Sequence, residues 1–368
     1  MDVRFATFNT SLSRGVEGQL LADLSTPDDA QARAVAEIIQ RTHPDVLLLN
    51  EFDHIEDGAA VQLFRTNYLA VSQNGADPLD YPYSFIAPSN TGIQTGHDLD
   101  GDGLVGGPDD AFGFGLFPGQ YGMAVLSRHP IDAGAVRTFQ HFLWKDMPGN
   151  LMPPGFYPPE AEAILRLSSK SHWDVRIAVG DHRVHFLVSH PTPPVFDGPE
   201  GRNRRRNSDE IRFWSDYLDP ERSGYLHDDK GGRAGLAPEV PFVIAGDLNS
   251  DPFDGTSERA TISALLDDPR VNASVTPSSE GAAEAGRPRD EADESWQGNP
   301  ADATAHFAEL AGTLRVDYVL PSRDLLIVDA GVFWPASTDP LHRLIGTFPF
   351  TSSDHRLVWV DVRLPDLG

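Results

Sequence analysis

Short apolar runs alternate with amphipathic stretches along the whole chain, and the two kinds differ in period. Residues 3–9 form a brief β-rich run. At 26–29, Thr-Pro-Asp-Asp supplies a capping hydroxyl, a proline for a first helical turn and two acids facing the helix dipole. Ala32, Val35, Ala36, Ile38 and Ile39 then recur at helical spacing, so a helix is predicted there. Residues 45–51, Asp-Val-Leu-Leu-Leu-Asn-Glu, are continuously apolar until the end. That is the pattern of a central strand buried on both faces whose end opens on a site. Further strands are predicted over 121–127, 173–179, 183–190, 241–246, 315–320, 325–334 and 356–364. A helix is predicted over 202–218, with Ile211, Trp214 and Leu218 on one face. Residues 275–305, rich in Ser, Gly, Glu, Ala and Asp, read as a solvated loop. The Gly/Pro-rich stretches 88–120 and 144–163 read as insertions above the sheets.

No internal repeat or low-complexity linker divides the chain, and 368 residues allow two domains or one large α/β unit. No apolar run reaches 18 residues, so no membrane span is expected. No basic n-region or apolar h-region precedes Val3, so no signal peptide is expected in this chain, which could equally be a mature, exported form whose leader has been removed. Charge changes the picture more. There are 29 Lys and Arg against 55 Asp and Glu, a formal net charge of −26. Only Lys145, Lys170 and Lys230 are lysines. Such a surface repels polyanions and disfavours a broad basic face for long nucleic acid. A small phosphoester held through a metal ion remains compatible, because a bound cation inverts the local charge logic. The absence of cysteine excludes disulfides, zinc-thiolate sites and cysteine nucleophiles.

Several predicted strands end in proton carriers and metal ligands: Asn9, Glu51, His190, and Asp247 with Asn249. Asp354 and His355 stand just before a strand. Gly246-Asp247-Leu248-Asn249-Ser250-Asp251-Pro252 is the sharpest of these segments. A carboxylate and, two residues on, an amide suit the orientation of a water or the joint holding of a metal and a phosphate. The same residue types also build ordinary turns. Asp317, in Arg315-Val316-Asp317-Tyr318, offers an acid that could fix an imidazole's tautomer across strands.

Taken together, Phe8-Asn9, Asn50-Glu51, Ser189-His190, Gly246-Asp247-Leu248-Asn249, Arg315-Val316-Asp317-Tyr318 and Ser353-Asp354-His355 resemble, in order, the motifs of the endonuclease/exonuclease/phosphatase superfamily, which includes DNase I-like nucleases, sphingomyelinases and inositol phosphatases. The resemblance implies one domain over 1–368 with an α/β fold, a four-layer α/β sandwich in which two packed mixed β-sheets are flanked by helices. It implies a metal-dependent phosphoester hydrolase acting on a small phosphoester or on nucleic acid. Glu51 would be the main ligand of a catalytic Mg²⁺ or Mn²⁺, supported by Asn9 and Asp354. Asp247 and Asn249 would orient water and contact phosphate. His355, held by Asp317, would face the scissile phosphate, and His190 would be a candidate acid for the leaving oxygen. Ser11 departs from the pattern, since many nucleases of the family carry an acid there. Arg205 and Asn207, in a dense basic segment after His190, are candidate substrate contacts, and a helix start salt-bridged to Asp209 and Glu210 is the competing reading.

A second metal signal is independent of the first. Asp98, Asp100 and Asp102 alternate before Gly103, with the Leu104 carbonyl at position seven and Asp109 at position twelve. This spacing suits Ca²⁺, which would order a long loop. Two further readings stand beside the hydrolase: a secreted DNase I-like nuclease acting on DNA or RNA, and a calcium-ordered binding protein with a catalytically inactive fold.

Overall fold

A computed structural model describes residues 1–286, 296–307 and 312–365. In chain order its strands are β1 (Asp2–Leu12), β2 (Val46–Phe52), β3 (Tyr83–Phe85), β4 (Met123–Ser127), β5 (Arg137–Thr138), β6 (His172–Val179), β7 (His182–Ser189), β8 (Phe242–Asp247), β9 (Ala305–His306), β10 (Thr313–Leu314), β11 (Asp317–Pro321), β12 (Leu326–Val332) and β13 (Val358–Arg363). One six-stranded sheet has the order β12-β13-β1-β2-β4-β3, and a five-stranded sheet has the order β11-β8-β7-β6-β5. Both are mixed: β1 pairs β2 in parallel and β7 pairs β8 in parallel, and the remaining pairings in the two sheets are antiparallel.

The two sheets pack face to face. Val3, Phe5, Val46, Leu48, Val243 and Ala245 point into the shared core, where Phe5 meets Phe186 with ring centroids 5.6 Å apart. Their strand neighbours point outward. Ala6, Phe8, Leu47 and Leu49 bury against the helix Ala30–Thr42, and Phe242 and Ile244 bury against the helix Arg202–Leu218. A strand covered on both faces cannot alternate apolar with polar residues, which is why 46–49 and 242–245 read as unbroken apolar runs. The result is the expected four-layer α/β sandwich. Asp29 caps the first of these helices by accepting from the Ala32 N–H at 2.7 Å, so the cap falls three residues after the threonine that opens the predicted start.

Two segments differ from their sequence reading. Within 275–305 a short helix, Glu280–Ala285, buries Ala282 completely and sets Gly281 against Trp334. Residues 88–120 are not a superficial cover. Asn90 is fully buried and donates to the carbonyls of Gln140 and Ser168 at 2.8 and 2.7 Å, tying this insertion to the second one. Among the described residues no helix is long and apolar enough to cross a membrane.

Candidate active site

Strand direction decides where the polar ends emerge. In parallel β1 and β2, Asn9 stands opposite Asn50. In the other sheet β7 and β8 run parallel and end at Ser189 and Asp247. Antiparallel β11 begins at Asp317, directly opposite Asp247. The segment leading into β13, which is antiparallel to β1, brings in Asp354 and His355. Asn50 couples the sheets here. Its Oδ1 accepts from Thr7 Oγ1 at 3.1 Å and from the Asp247 N–H at 3.3 Å. Gly246 lets β7 come close, since a Cβ there would lie 2.0 Å from the Ser189 carbonyl oxygen.

Asp247 is the hub. Its Oδ2 accepts from Asn9 Nδ2 at 3.0 Å and faces His190 Nε2 at 3.3 Å and His355 Nε2 at 3.6 Å. Its Oδ1 accepts from the Asn249 N–H at 2.9 Å. Burial opposes the charged form, but His355, His190 and Asn9 outweigh it and hold the carboxylate well below its usual range. His355 is completed by Asp317, with Nδ1 and Oδ2 2.9 Å apart. Burial disfavours its imidazolium, yet Asp317 and Asp247 raise it well above the ordinary histidine value. Burial, opposed by His355 and reinforced by Asp247, pushes Asp317 up to about 6. His190 behaves oppositely: burial, with Lys170 next, drives it down to about 4. It is therefore neutral at neutral pH, and its Nδ1 is buried without a hydrogen-bond partner among the described residues. The acid role expected of His190 needs the form that burial opposes.

Glu51 joins the hub through Asn9, whose Nδ2 also donates to its Oε1 at 3.2 Å. Burial, followed by the charge of Asp354, raises Glu51 to about 7. Asp354 Oδ1 accepts from Ser11 Oγ at 3.1 Å, so the residue at the position of the missing acid supports an acid instead. The structure thus brings together Asn9, Glu51, His190, Asp247, Asn249, Asp317, Asp354 and His355. Four of the eight described non-glycine residues with left-handed backbone border this place: Ser11, Glu51, Tyr121 and Asn249. Strain of this kind collects where a site over-determines its geometry.

Other residues were not legible. Thr304 Oγ1 donates to Asp317 Oδ2 at 2.7 Å and accepts from the N–H groups of Val316 and Asp317. It falls in a stretch whose composition reads as loop. Glu210 is not paired to the helix-start arginines. Its carboxylate accepts from the Ser169 and Thr192 N–H groups at 2.6 and 2.7 Å, pinning the segments that carry Lys170 and His190. Asp209 pairs with Arg212 at 3.0 Å. Arg205 and Asn207, the candidate substrate contacts, make structural ties within the protein. Arg205 Nε donates to the Glu200 carbonyl at 3.0 Å, and Asn207 Nδ2 donates to the carbonyls of Thr192 and Leu248 at 2.9 and 3.0 Å. These bonds are made within the protein and leave neither group facing the cavity beside Glu51.

In the acidic loop, Asp98, Asp100 and Asp102 can each place a ligand atom within 4.8 Å of the others. Asp109 lies outside that cluster and faces Arg202 at 3.4 Å. Asp110 closes the loop, accepting from the Leu99 and Gly106 N–H groups at 2.7 and 2.8 Å. The residue at position twelve thus stands beside a guanidinium, while its neighbour Asp110 holds the loop's backbone N–H groups. Leu104 is 70% exposed.

A model of the Endonuclease/Exonuclease/phosphatase family matches residues 6–355. An endonuclease/exonuclease/phosphatase from Beutenbergia cavernae DSM 12333 superposes with a TM-score of 0.54 at 20% identity, covering 99% of this chain and 72% of that one. Sphingomyelinase C from Streptomyces griseocarneus superposes with a TM-score of 0.50 at 15% identity, covering 99% of this chain and all of that one. At these identities the likeness concerns the fold. No curated protein sequence matches the chain.

The charge state of the hub is open to direct measurement. By ¹⁵N NMR of the metal-free protein, His355 is expected to be an imidazolium at pH 7. In Asp317→Asn one of its two carboxylates is gone, so its pKa falls. A neutral His355 in the wild type at pH 6, or the same titration in both proteins, contradicts this geometry.

Proposed function

Since the chain belongs to the endonuclease/exonuclease/phosphatase family, we propose that it is a divalent-cation-dependent phosphoester hydrolase whose centre is the Asp247 hub. The observation that carries this reading is one carboxylate shared by Asn9, two imidazoles and, through Asn9, Glu51. Every position the chemistry needs holds a competent group, which favours an enzyme over an inactive binding scaffold.

The donor set fits a hard cation. Glu51 and Asp354 are close enough for Asp354 to raise the Glu51 carboxyl; Glu51 accepts from the Asn9 amide and Asp354 from the Ser11 hydroxyl. Glu51, Asp354 and Asn9 would hold Mg²⁺ or Mn²⁺ with oxygen ligands. When bound, such a cation neutralises charge on phosphoryl oxygens. The protein's own groups do the rest. Asp247, ionised at physiological pH, accepts a hydrogen bond from the attacking water and orients it, with Asn249 fixing the carboxylate through its backbone N–H, and the water's proton passes to solvent. The water oxygen bonds to phosphorus as the ester P–O bond breaks, and the leaving oxygen takes a proton from solvent. His355, held positive between Asp317 and Asp247, faces the charge that builds on the phosphoryl oxygens. Neutral His190 keeps Asp247 in place.

The test is hydrolysis of a panel comprising bis(p-nitrophenyl) phosphate, a phosphomonoester, plasmid DNA, RNA and a phospholipid, with Mg²⁺, Mn²⁺ or EDTA. At least one member is cleaved, only with metal. Glu51→Gln and His355→Ala each lose about a hundredfold or more in kcat/KM. Undiminished activity in either variant overturns the assignment.

The acidic loop carries a separate part of the proposal. Asp98, Asp100 and Asp102, clustered within 4.8 Å, would take Ca²⁺ weakly, without Asp109. Millimolar Ca²⁺ added to metal-free protein is then expected to raise Tm by a few degrees, about the effect of occupying one weak site. An unchanged Tm, or the same rise in a triple Asp→Asn variant, removes the calcium loop from the account.

A further inference from the structure

We infer that the cavity beside Glu51 is a subsite for the ester substituent of a small phosphodiester, taking a flat aromatic or compact apolar group, and that Lys170 at its wall holds an anionic oxygen of that substrate. This inference rests on the hydrolase reading and adds the substrate class.

The cavity encloses about 480 Å³ and shares Glu51 with the hub, a volume within the range of small-ligand sites. Its inner wall is apolar and closed: Trp144, Leu165 and Tyr157 are 1%, 3% and 9% exposed. Phe114, 52% exposed, stands at the rim, with its ring centroid 6.4 Å from that of Tyr121. An extended polymer leaves a reacting phosphate in both directions, whereas this cavity is bounded by a buried apolar wall and suits one short substituent. The two insertions build this wall, since Phe114 comes from 88–120 and Trp144 and Tyr157 come from 144–163.

Three cations border the cavity, and two are already engaged. Arg206 donates to the carbonyls of Leu167, Ser168, Arg166 and Phe112. Arg202 donates to the Leu99 carbonyl and faces Asp109. Lys170 is 6% exposed, and its ammonium makes no hydrogen bond or ion pair with a described residue. Burial disfavours the charged form and lowers this lysine. The surrounding carboxylates, Glu210, Glu51 and Asp247, act on it only at a distance. An anionic ligand in the cavity would supply the missing partner directly. Lys170 is also one of only three lysines in a chain with a net charge of −26, so this cation stands where the general surface field would otherwise turn a phosphate away.

The experiment measures inhibition of bis(p-nitrophenyl) phosphate hydrolysis by phenylphosphonate and methylphosphonate, which share an anionic head and differ only in the apolar group. The wild type is expected to bind phenylphosphonate about tenfold more tightly, a modest share of what burying a phenyl ring supplies. Phe114→Ala and Leu165→Trp bring the ratio of the two inhibition constants toward one. Lys170→Met weakens both inhibitors, and Lys170→Arg restores part of the loss. Phe114 is half exposed, so its variant reads out the ratio even if Leu165→Trp does not fold. Equal inhibition by the two phosphonates in the wild type, or an unchanged ratio in both cavity variants, overturns the subsite and leaves the hydrolase reading intact. Wild-type protein that cleaves no ester with any metal overturns that reading and the subsite with it.

Discussion

A buried carboxylate that must stay ionised is the constraint around which this end of the molecule is built. Asp247 is 1% exposed, and an isolated charge at such depth is unfavourable unless donors surround it. The donors come from four separate places: Asn9 from β1, His190 from the end of β7, the Asn249 N–H from the turn after β8, and His355 from the segment before β13. No local stretch of chain could supply them. The two parallel pairings, one in each sheet, put the required ends on the same side of the sandwich, and the antiparallel entry of β11 sets Asp317 beside Asp247. Packing of the two sheets is therefore what creates the charge state of the site.

That arrangement separates two histidines of equal intrinsic basicity. His355 lies between two carboxylates and is held positive, whereas His190 has only the shared Asp247 and stays neutral. Glu51 sits at the edge of the same network, where Asp354 and burial leave it on the verge of protonation. The backbone strain at Ser11, Tyr121 and Asn249 is sustained by side-chain to backbone bonds, such as that from the Tyr121 N–H to Asp53 Oδ1 at 3.1 Å. These bonds replace what regular strand geometry would otherwise provide.

The sandwich was legible because strands buried on both faces leave unbroken apolar runs, and because their polar ends carry recognisable motifs. Asn9, Glu51, Asp247 and His355 could be named from short segments of that kind. What stayed hidden depends on long-range partners. Thr304 supports Asp317 from a stretch whose composition suggests only solvent. Glu210 binds two backbone N–H groups where its helical position suggests pairing with arginine. Asp109 satisfies a spacing rule, yet Arg202 lies beside it and Asp110 does the structural work. Lys170 has no motif at all. Its importance comes from burial without a partner, a property that exists only once two insertions have closed over it.

The most direct measurement is anomalous X-ray diffraction from crystals of the wild type and of Glu51→Gln soaked in Mn²⁺. The account predicts a peak in the wild type at bonding distance from carboxylate oxygens of both Glu51 and Asp354, strongly reduced in the variant. A fully occupied Mn²⁺ elsewhere, with Glu51 and Asp354 bare or bonded to each other through a shared proton, would contradict it.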